Sequence, residues 1–168
     1  MKILVSAASR HGSTAEIAAR IAGTLRTGLP GGTVVDVVPC ADVGDVTPYD
    51  AFVLGSSVYM GRWLEDARAL AERIATEPPR PVWLFSSGPI GDPAKPAEEP
   101  GGVGDLAKSV NARDHRLFAG RLDRNQLGFA EKTVVRALRV PQGDFRDWDA
   151  ITTWATHIAA ELNHATTR

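Results

Sequence analysis

The chain has 168 residues, 43% of them apolar and 23% charged, with a formal net charge of −1. That length suits one domain with a sizeable core, and the usage is that of an ordinary globular chain. The near-neutral balance gives no global basic field, so nucleic acid is not expected as a partner, and the lone Cys40 excludes an internal disulfide or a CxxC metal motif.

Lys2 to Ala7 (KILVSA) is a short apolar run that predicts a first strand, and no signal-peptide pattern precedes it. A polar, glycine-containing turn leads to Ser13–Thr27, where Ile17, Ile21 and Leu25 recur every four residues and predict a helix. Ser13 and Glu16 have the spacing of a capping box, which sets the helix start at the end of the turn. Leu29-Pro30-Gly31-Gly32 breaks the chain before a β-branched second strand, Thr33 to Val38. Cys40, just beyond it, reads as a small buried hydrophobe.

Pro39 to Tyr49, with Asp42, Gly44, Asp45 and Pro48, predicts an irregular crossover into a third strand, Ala51 to Leu54. Leu64, Ala67, Ala71 and Ile74 mark a helical face, which Pro78, Pro79 and Pro81 end before the fourth strand, Val82 to Phe85. A Gly/Pro/Glu-rich stretch from Gly88 to Gly104 precedes a short helix near Asp105–Asn111 and a strand at His115–Ala119. The last helix runs from Trp148 to about Leu162, with Ile151, Trp154, Ile158 and Leu162 on one face and Asp147 as its cap.

Short, nearly all-apolar strands alternating with helices predict an α/β, doubly wound, five-stranded parallel sheet with helices on both faces. Residues 1–168 read as a single domain with an insert at about 121–146 before the last helix. No run approaches the roughly 18 apolar residues of a membrane span. A cytoplasmic protein is expected, with peripheral contact to the inner face of the membrane left open.

In such sheets ligands sit beyond the carboxyl ends of the strands, which singles out three clusters. The first is Ser9-Arg10-His11-Gly12-Ser13-Thr14. Hydroxyls and a glycine ahead of a helix, where backbone N–H groups and the positive dipole end converge, favour a phosphate; the alternative is an ordinary capped turn. The second is Gly55-Ser56-Ser57-Val58-Tyr59-Met60-Gly61-Arg62-Trp63, and the third Ser86-Ser87-Gly88-Pro89-Ile90-Gly91-Asp92. No GxGxxG follows the first strand and no GxxxxGK[ST] occurs, which disfavours dinucleotide and P-loop nucleotide sites. Ala7-Ala8-Ser9 and Gly55-Ser56-Ser57 lack the acids that a metal-dependent phospho-acceptor domain would need there.

The hydroxyl-x-x-Gly-x-Thr pattern of Ser9, Gly12 and Thr14 resembles the flavodoxin phosphate loop, and GSSVYMGRW and FSSGPIGDP sit where flavodoxins enclose the isoalloxazine ring. Within that family the chain is most similar to the flavodoxin-type, menaquinone-dependent protoporphyrinogen oxidases, which also carry an insert before the last helix. The resemblance implies FMN as cofactor, held by Ser9, Arg10, His11, Gly12, Ser13 and Thr14 at the phosphate. Ser56, Ser57, Val58, Tyr59, Met60 and Gly61 would lie along the ring on one side, and Ser87, Gly88, Pro89, Ile90, Gly91 and Asp92 on the other. Tyr59 is a candidate for stacking on the flavin or for packing under the next helix. Trp63 reads as a packing residue. Arg10 is a candidate phosphate partner or a solvent-exposed side chain, and His11 a polar loop residue that can tune the site. Asp92 reads as a turn-former that can approach the flavin edge. His115, His157 and His164 have no ligand spacing or nearby acid, and no catalytic residue or metal site is assigned.

From Arg113 to Arg146 eight Lys/Arg stand against four acids. Phe129, Val134, Val135 and Leu138 can form one face of an insert helix, with Lys132, Arg136 and Arg139 opposite. Together with Arg124, these cations suit an anionic membrane surface or a carboxylate-bearing substrate, or simply a solvated face at the sheet edge. Three functions stay open. The first is an FMN oxidoreductase that oxidises protoporphyrinogen IX with a quinone acceptor in heme biosynthesis. The second is an electron-transfer shuttle between redox protein partners, and the third a non-catalytic binding domain of the same fold.

Overall fold

The structure is a computed structural model and describes residues 1–88, 99–137 and 142–166. The first half of the chain forms β1 (Lys2–Ala8), α1 (Ser13–Gly28), β2 (Val34–Pro39), β3 (Ala51–Tyr59), β4 (Arg62–Trp63), α2 (Glu65–Ala75) and β5 (Val82–Ser87). The second half forms α3 (Val103–Ser109), β6 (Asp114–Phe118), β7 (Arg121–Leu122), α4 (Phe129–Ala137), β8 (Gly143–Asp144) and α5 (Trp148–Thr166).

Five strands pair in parallel in the order β2-β1-β3-β5-β6, with β4 folding back antiparallel on β3. Strands buried on both faces must be apolar along their whole length, and Ile3, Leu4, Val5, Phe52, Val53 and Leu54 are all fully buried. Val53 and Phe85 join the side packed by α1 and α5, where Ile17, Ile21, Leu25, Ile151, Trp154 and Ile158 close the core. Phe52, Leu54 and Leu84 face the other way, against Leu70 and Ile74 of α2 and Val103 of α3. The strand order reverses between β1 and β3, which makes the crevice at their carboxyl ends the natural ligand position.

Three local features depart from the sequence reading. First, β3 and β5 run past the predicted Leu54 and Phe85, to Tyr59 and Ser87. Gly55 permits this extension, because a Cβ there would collide with the Phe85 ring. The cluster expected as a loop is therefore mostly strand. It reverses only at Met60 and Gly61, whose φ of 51° and 73° suit the tight two-residue turn of a hairpin. Left-handed backbone at a residue with a Cβ costs roughly 1–2 kcal/mol, so Met60 is strained.

Second, there is no capping box. Gly12, at φ 85°, occupies the cap position of α1 with no side-chain cap bond. The Glu16 carboxylate is taken instead by Arg146 and Arg121. The cap predicted for α5 is present, with the Ala150 N–H donating to Asp147 Oδ1 at 2.9 Å.

Third, segment 121–146 contains a small ribbon of β7 and β8 that no sequence period announced, and α4 lies between them. No residue of α4 is buried, and Phe129 on its supposed apolar face is 89% exposed. Leu138 and Arg139, assigned to the two faces of that helix, lie outside the described residues, as does the side chain of Arg124.

Candidate functional site

The carboxyl ends of β1, β3, β5 and β6 open into one cleft of about 470 Å³. The β1–α1 loop contributes Ser9, Arg10, His11, Ser13 and Thr14, the end of β3 Ser57, Val58, Tyr59 and Met60, and the end of β5 Ser87 and Gly88. Residues far apart in the chain thus meet as the sequence reading required. Gly12 and Gly61 shape the turns on either side rather than line the cleft. Ser56 is turned away: fully buried, its Oγ donates to the Ser57 carbonyl at 2.8 Å and accepts the Leu64 N–H at 2.9 Å. Pro89, Ile90, Gly91 and Asp92 lie outside the described residues.

The cleft is polar where an anion would sit. Ser9 Oγ, Ser13 Oγ, Thr14 Oγ1 and Ser57 Oγ are each buried and have no hydrogen-bond partner among the described residues. Leaving a buried hydroxyl unsatisfied costs about 1–3 kcal/mol, so four along one cleft call for an acceptor from outside the chain. The first N–H groups of α1 point the same way, since a helix leaves its leading amides unpaired.

The far wall comes from residues that the sequence reading did not assign to the site. Gly120, just after β6, packs against the Gly88 backbone, where a Cβ would lie 3.3 Å from the Gly88 Cα. Leu127, Ala130, Val134 and Val135 give an apolar surface, and Glu131 projects among them. The rule that led to the ends of β1, β3 and β5 applies equally to β6, so Gly120 was within reach of the sequence. The α4 wall was not, because nothing in its spacing says that it folds back over the β1–α1 loop.

Electrostatics tie this wall to the loop. Glu131 pairs with Arg10, and His11 Nε2 lies 3.4 Å from its other carboxylate oxygen. The Gly128 N–H, donating at 2.9 Å, and then Arg10 hold the Glu131 carboxyl below the usual range. Arg10 also sits over the Tyr59 ring, 4.0 Å from its centroid. Arg10 is therefore paired with a carboxylate of the chain itself while its side chain stays 42% exposed, and Tyr59, itself exposed, has one face covered by Arg10. A second cluster lies beside it: Arg146, with Asp144 as its strongest partner, also binds Glu16, which Arg121 reaches at 3.2 Å. Two of the cations that made the segment look basic are neutralised there. Lys132 and Arg136 are exposed and form no ion pair among the described residues.

His115 corrects an expectation, because it does have an acid beside it. Its Nδ1 is 3.4 Å from Glu99 and its Nε2 2.8 Å from Ser86 Oγ, which accepts the Trp63 indole N–H at 2.7 Å. Burial pushes the His115 pKa down. This chain braces β5 against the β3–β4 hairpin and does not reach the cleft. Trp63 is buried, in keeping with a packing role. Cys40, also buried, has its thiol pushed up to about 11 by burial, so it stays protonated at neutral pH. Among the described residues no group of side chains is arranged to hold a metal ion, and no helix is long and apolar enough to cross a membrane.

A family model, that of the flavodoxin domain, matches residues 4–149. The chain belongs to the flavodoxin domain family. Membership implies FMN, and the cleft fits it: unpartnered hydroxyls and a helix start for the phosphate, and two strand ends with the Tyr59 aromatic for the ring. Among solved structures, an archaeal flavodoxin is 16% identical, with 98% of this chain and 100% of that one covered at a TM-score of 0.60. The Streptococcus pneumoniae flavodoxin is 17% identical over 98% of this chain and 99% of that one, at a TM-score of 0.61. Rubredoxin oxygen:oxidoreductase from Desulfovibrio gigas is 14% identical at a TM-score of 0.65; 99% of this flavodoxin-family chain aligns with 37% of that larger one. At such identities the likeness speaks for the fold. A comparison with curated proteins gave no match.

Proposed function

We propose that residues 1–168 form one flavodoxin domain that binds FMN and passes electrons between redox partners, with 121–146 as an insert walling the flavin site. The observation that carries this reading is the row of four buried, unpartnered hydroxyls at the carboxyl ends of β1 and β3. FMN supplies one- and two-electron redox chemistry when bound, and the protein's share is to hold, orient and shield it. Ser9, Ser13 and Thr14 would donate to the phosphate, with Gly12 giving the loop its left-handed turn, Arg10 the cation of the loop and His11 a further ring N–H donor. Ser57, Val58, Tyr59 and Met60 would lie along one side of the ring and Ser87 and Gly88 along the other. Leu127, Val134 and Val135 would keep water from its remaining edge.

Oxidation of protoporphyrinogen with a quinone acceptor is the second reading. It is favoured by that apolar wall, which makes room for an organic molecule, and by Lys132 and Arg136, exposed and without an ion pair among the described residues, which suit a carboxylate-bearing substrate. The known relatives lend it no support. The experiment that separates the two compares the FMN-loaded protein in two assays: reduction by a flavodoxin reductase with onward transfer to a haem protein, and oxidation of protoporphyrinogen with a menaquinone analogue. Fast exchange in the first with no turnover in the second is expected, and the reverse pattern would replace shuttle by oxidase.

A further inference from the structure

The cleft contains one acid among its described lining residues, Glu131, and that acid holds Arg10 of the proposed phosphate loop and lies 3.4 Å from the His11 ring. The other arginine lining the cleft, Arg121, is already engaged by Glu16. Glu131 is only 12% exposed and is fixed by the Gly128 N–H at the start of its own helix, so its charge cannot swing out into solvent without breaking that bond. Arg10 meanwhile links three elements, the β1–α1 loop, α4 through Glu131 and the β3–β4 hairpin through Tyr59. Because α4 buries no residue of its own, this polar clasp is its principal tie to the loop.

We infer that Glu131 is an intramolecular competitor for the cofactor phosphate: it holds Arg10 when no anion is bound and yields it when one arrives, which loosens this tether while the apolar face of α4 stays over the cleft. The inference rests on the FMN reading given above. A phosphate at Ser9, Ser13 and Thr14 brings about two negative charges beside a carboxylate, and the one Arg10 guanidinium cannot neutralise both anions fully. Glu131 therefore lowers affinity for a phosphorylated flavin and leaves a flavin without phosphate untouched. It acts as a specificity-determining residue that the sheet ends alone do not contain.

The test is Glu131→Gln, which keeps an acceptor for the Gly128 N–H while removing the charge. Binding of FMN and of riboflavin to the cofactor-free protein is followed by flavin fluorescence. FMN should bind about fivefold more tightly in the variant, within the range of partly exposed ion pairs, and riboflavin should be unchanged. The gain should shrink in an Arg10→Gln background, where only the direct repulsion between Glu131 and the phosphate is left to remove. Equal losses for both flavins would make Glu131 a mere anchor for α4 and overturn the inference, as would no change in either. Wild-type protein that binds neither flavin would overturn the FMN reading itself, and the inference with it. A readout that needs no variant is hydrogen exchange of the α4 amides in the wild type: saturating inorganic phosphate should speed it, and unchanged exchange would contradict the clasp.

Discussion

The sheet and the segment 121–146 meet at the same cleft but are held together by different physics. In the sheet, Phe85 is fully buried, its ring fills the space over Gly55, and it makes a T-shaped contact with Trp154 at 6.2 Å. In the segment, α4 has no buried residue, and it meets the loop through the Glu131 carboxylate, which pairs with Arg10 and lies beside the His11 ring. Apolar burial makes a rigid frame for the phosphate loop, whereas charge pairs make an attachment that an incoming anion can exchange. The half that sets the fold and the half that can respond to ligand are thus separable.

The sharpest way to break this contrast is to cut an aromatic from each half. Phe85→Ala should cost about 3–5 kcal/mol of unfolding free energy, the usual range for a buried Phe. Phe129→Ala should change it by less than about 0.5 kcal/mol, as exposed substitutions do. Both are read by denaturant melts; a large loss from Phe129→Ala would mean that α4 is part of the core.

Thr14→Asp tests the anion end of the cleft. Two like charges about 4 Å apart interact by about 4 kcal/mol near a protein surface, so FMN affinity should fall on the order of a thousandfold and riboflavin affinity far less. Equal losses would place the phosphate elsewhere. Ser9→Ala should cost only about 1 kcal/mol of FMN binding, one hydrogen bond among several.

The fold was largely legible because period and burial agree. Ile17, Ile21 and Leu25, or the all-apolar VWLF run, admit few other structures, and hydroxyls next to a glycine before α1 pointed to an anion. What was not legible depended on contacts between distant residues. The extension of β3 to Tyr59 rests on Phe85 passing over Gly55, thirty positions later. The capping box failed because the left-handed Gly12, not Ser13, takes the cap position, and Arg146, far along the chain, holds Glu16. The acid beside His115 and the pairing of Glu131 with Arg10 are likewise tertiary facts without a local signature.

His115 gives a pH prediction for the frame. Its folded pKa lies below the unfolded 6.5, because burial disfavours the charged ring more than Glu99 and Asp114 favour it. The unfolded chain therefore binds the proton first as pH falls, so the stability contributed by neutral His115 is complete above 6.5 and is lost as pH drops through the folded value. Comparing melts of wild type and His115→Gln from pH 7.5 to 5 isolates this group; parallel curves would mean that the Trp63–Ser86–His115 chain has no such linkage. A smaller effect of opposite sign comes from Met60→Gly, which should stabilise the hairpin by about 0.5–1 kcal/mol through relief of its left-handed strain. Destabilisation would show that the Met60 side chain holds the turn in place.

The central claim is that the cleft is an FMN site read through its phosphate. The most direct measurement is to saturate the purified protein with FMN, riboflavin and FAD in separate titrations and determine affinity and stoichiometry for each. One FMN per chain, bound at least tenfold more tightly than riboflavin and in preference to FAD, is the predicted result. Stoichiometric FAD, or equal affinity for FMN and riboflavin, would contradict the account.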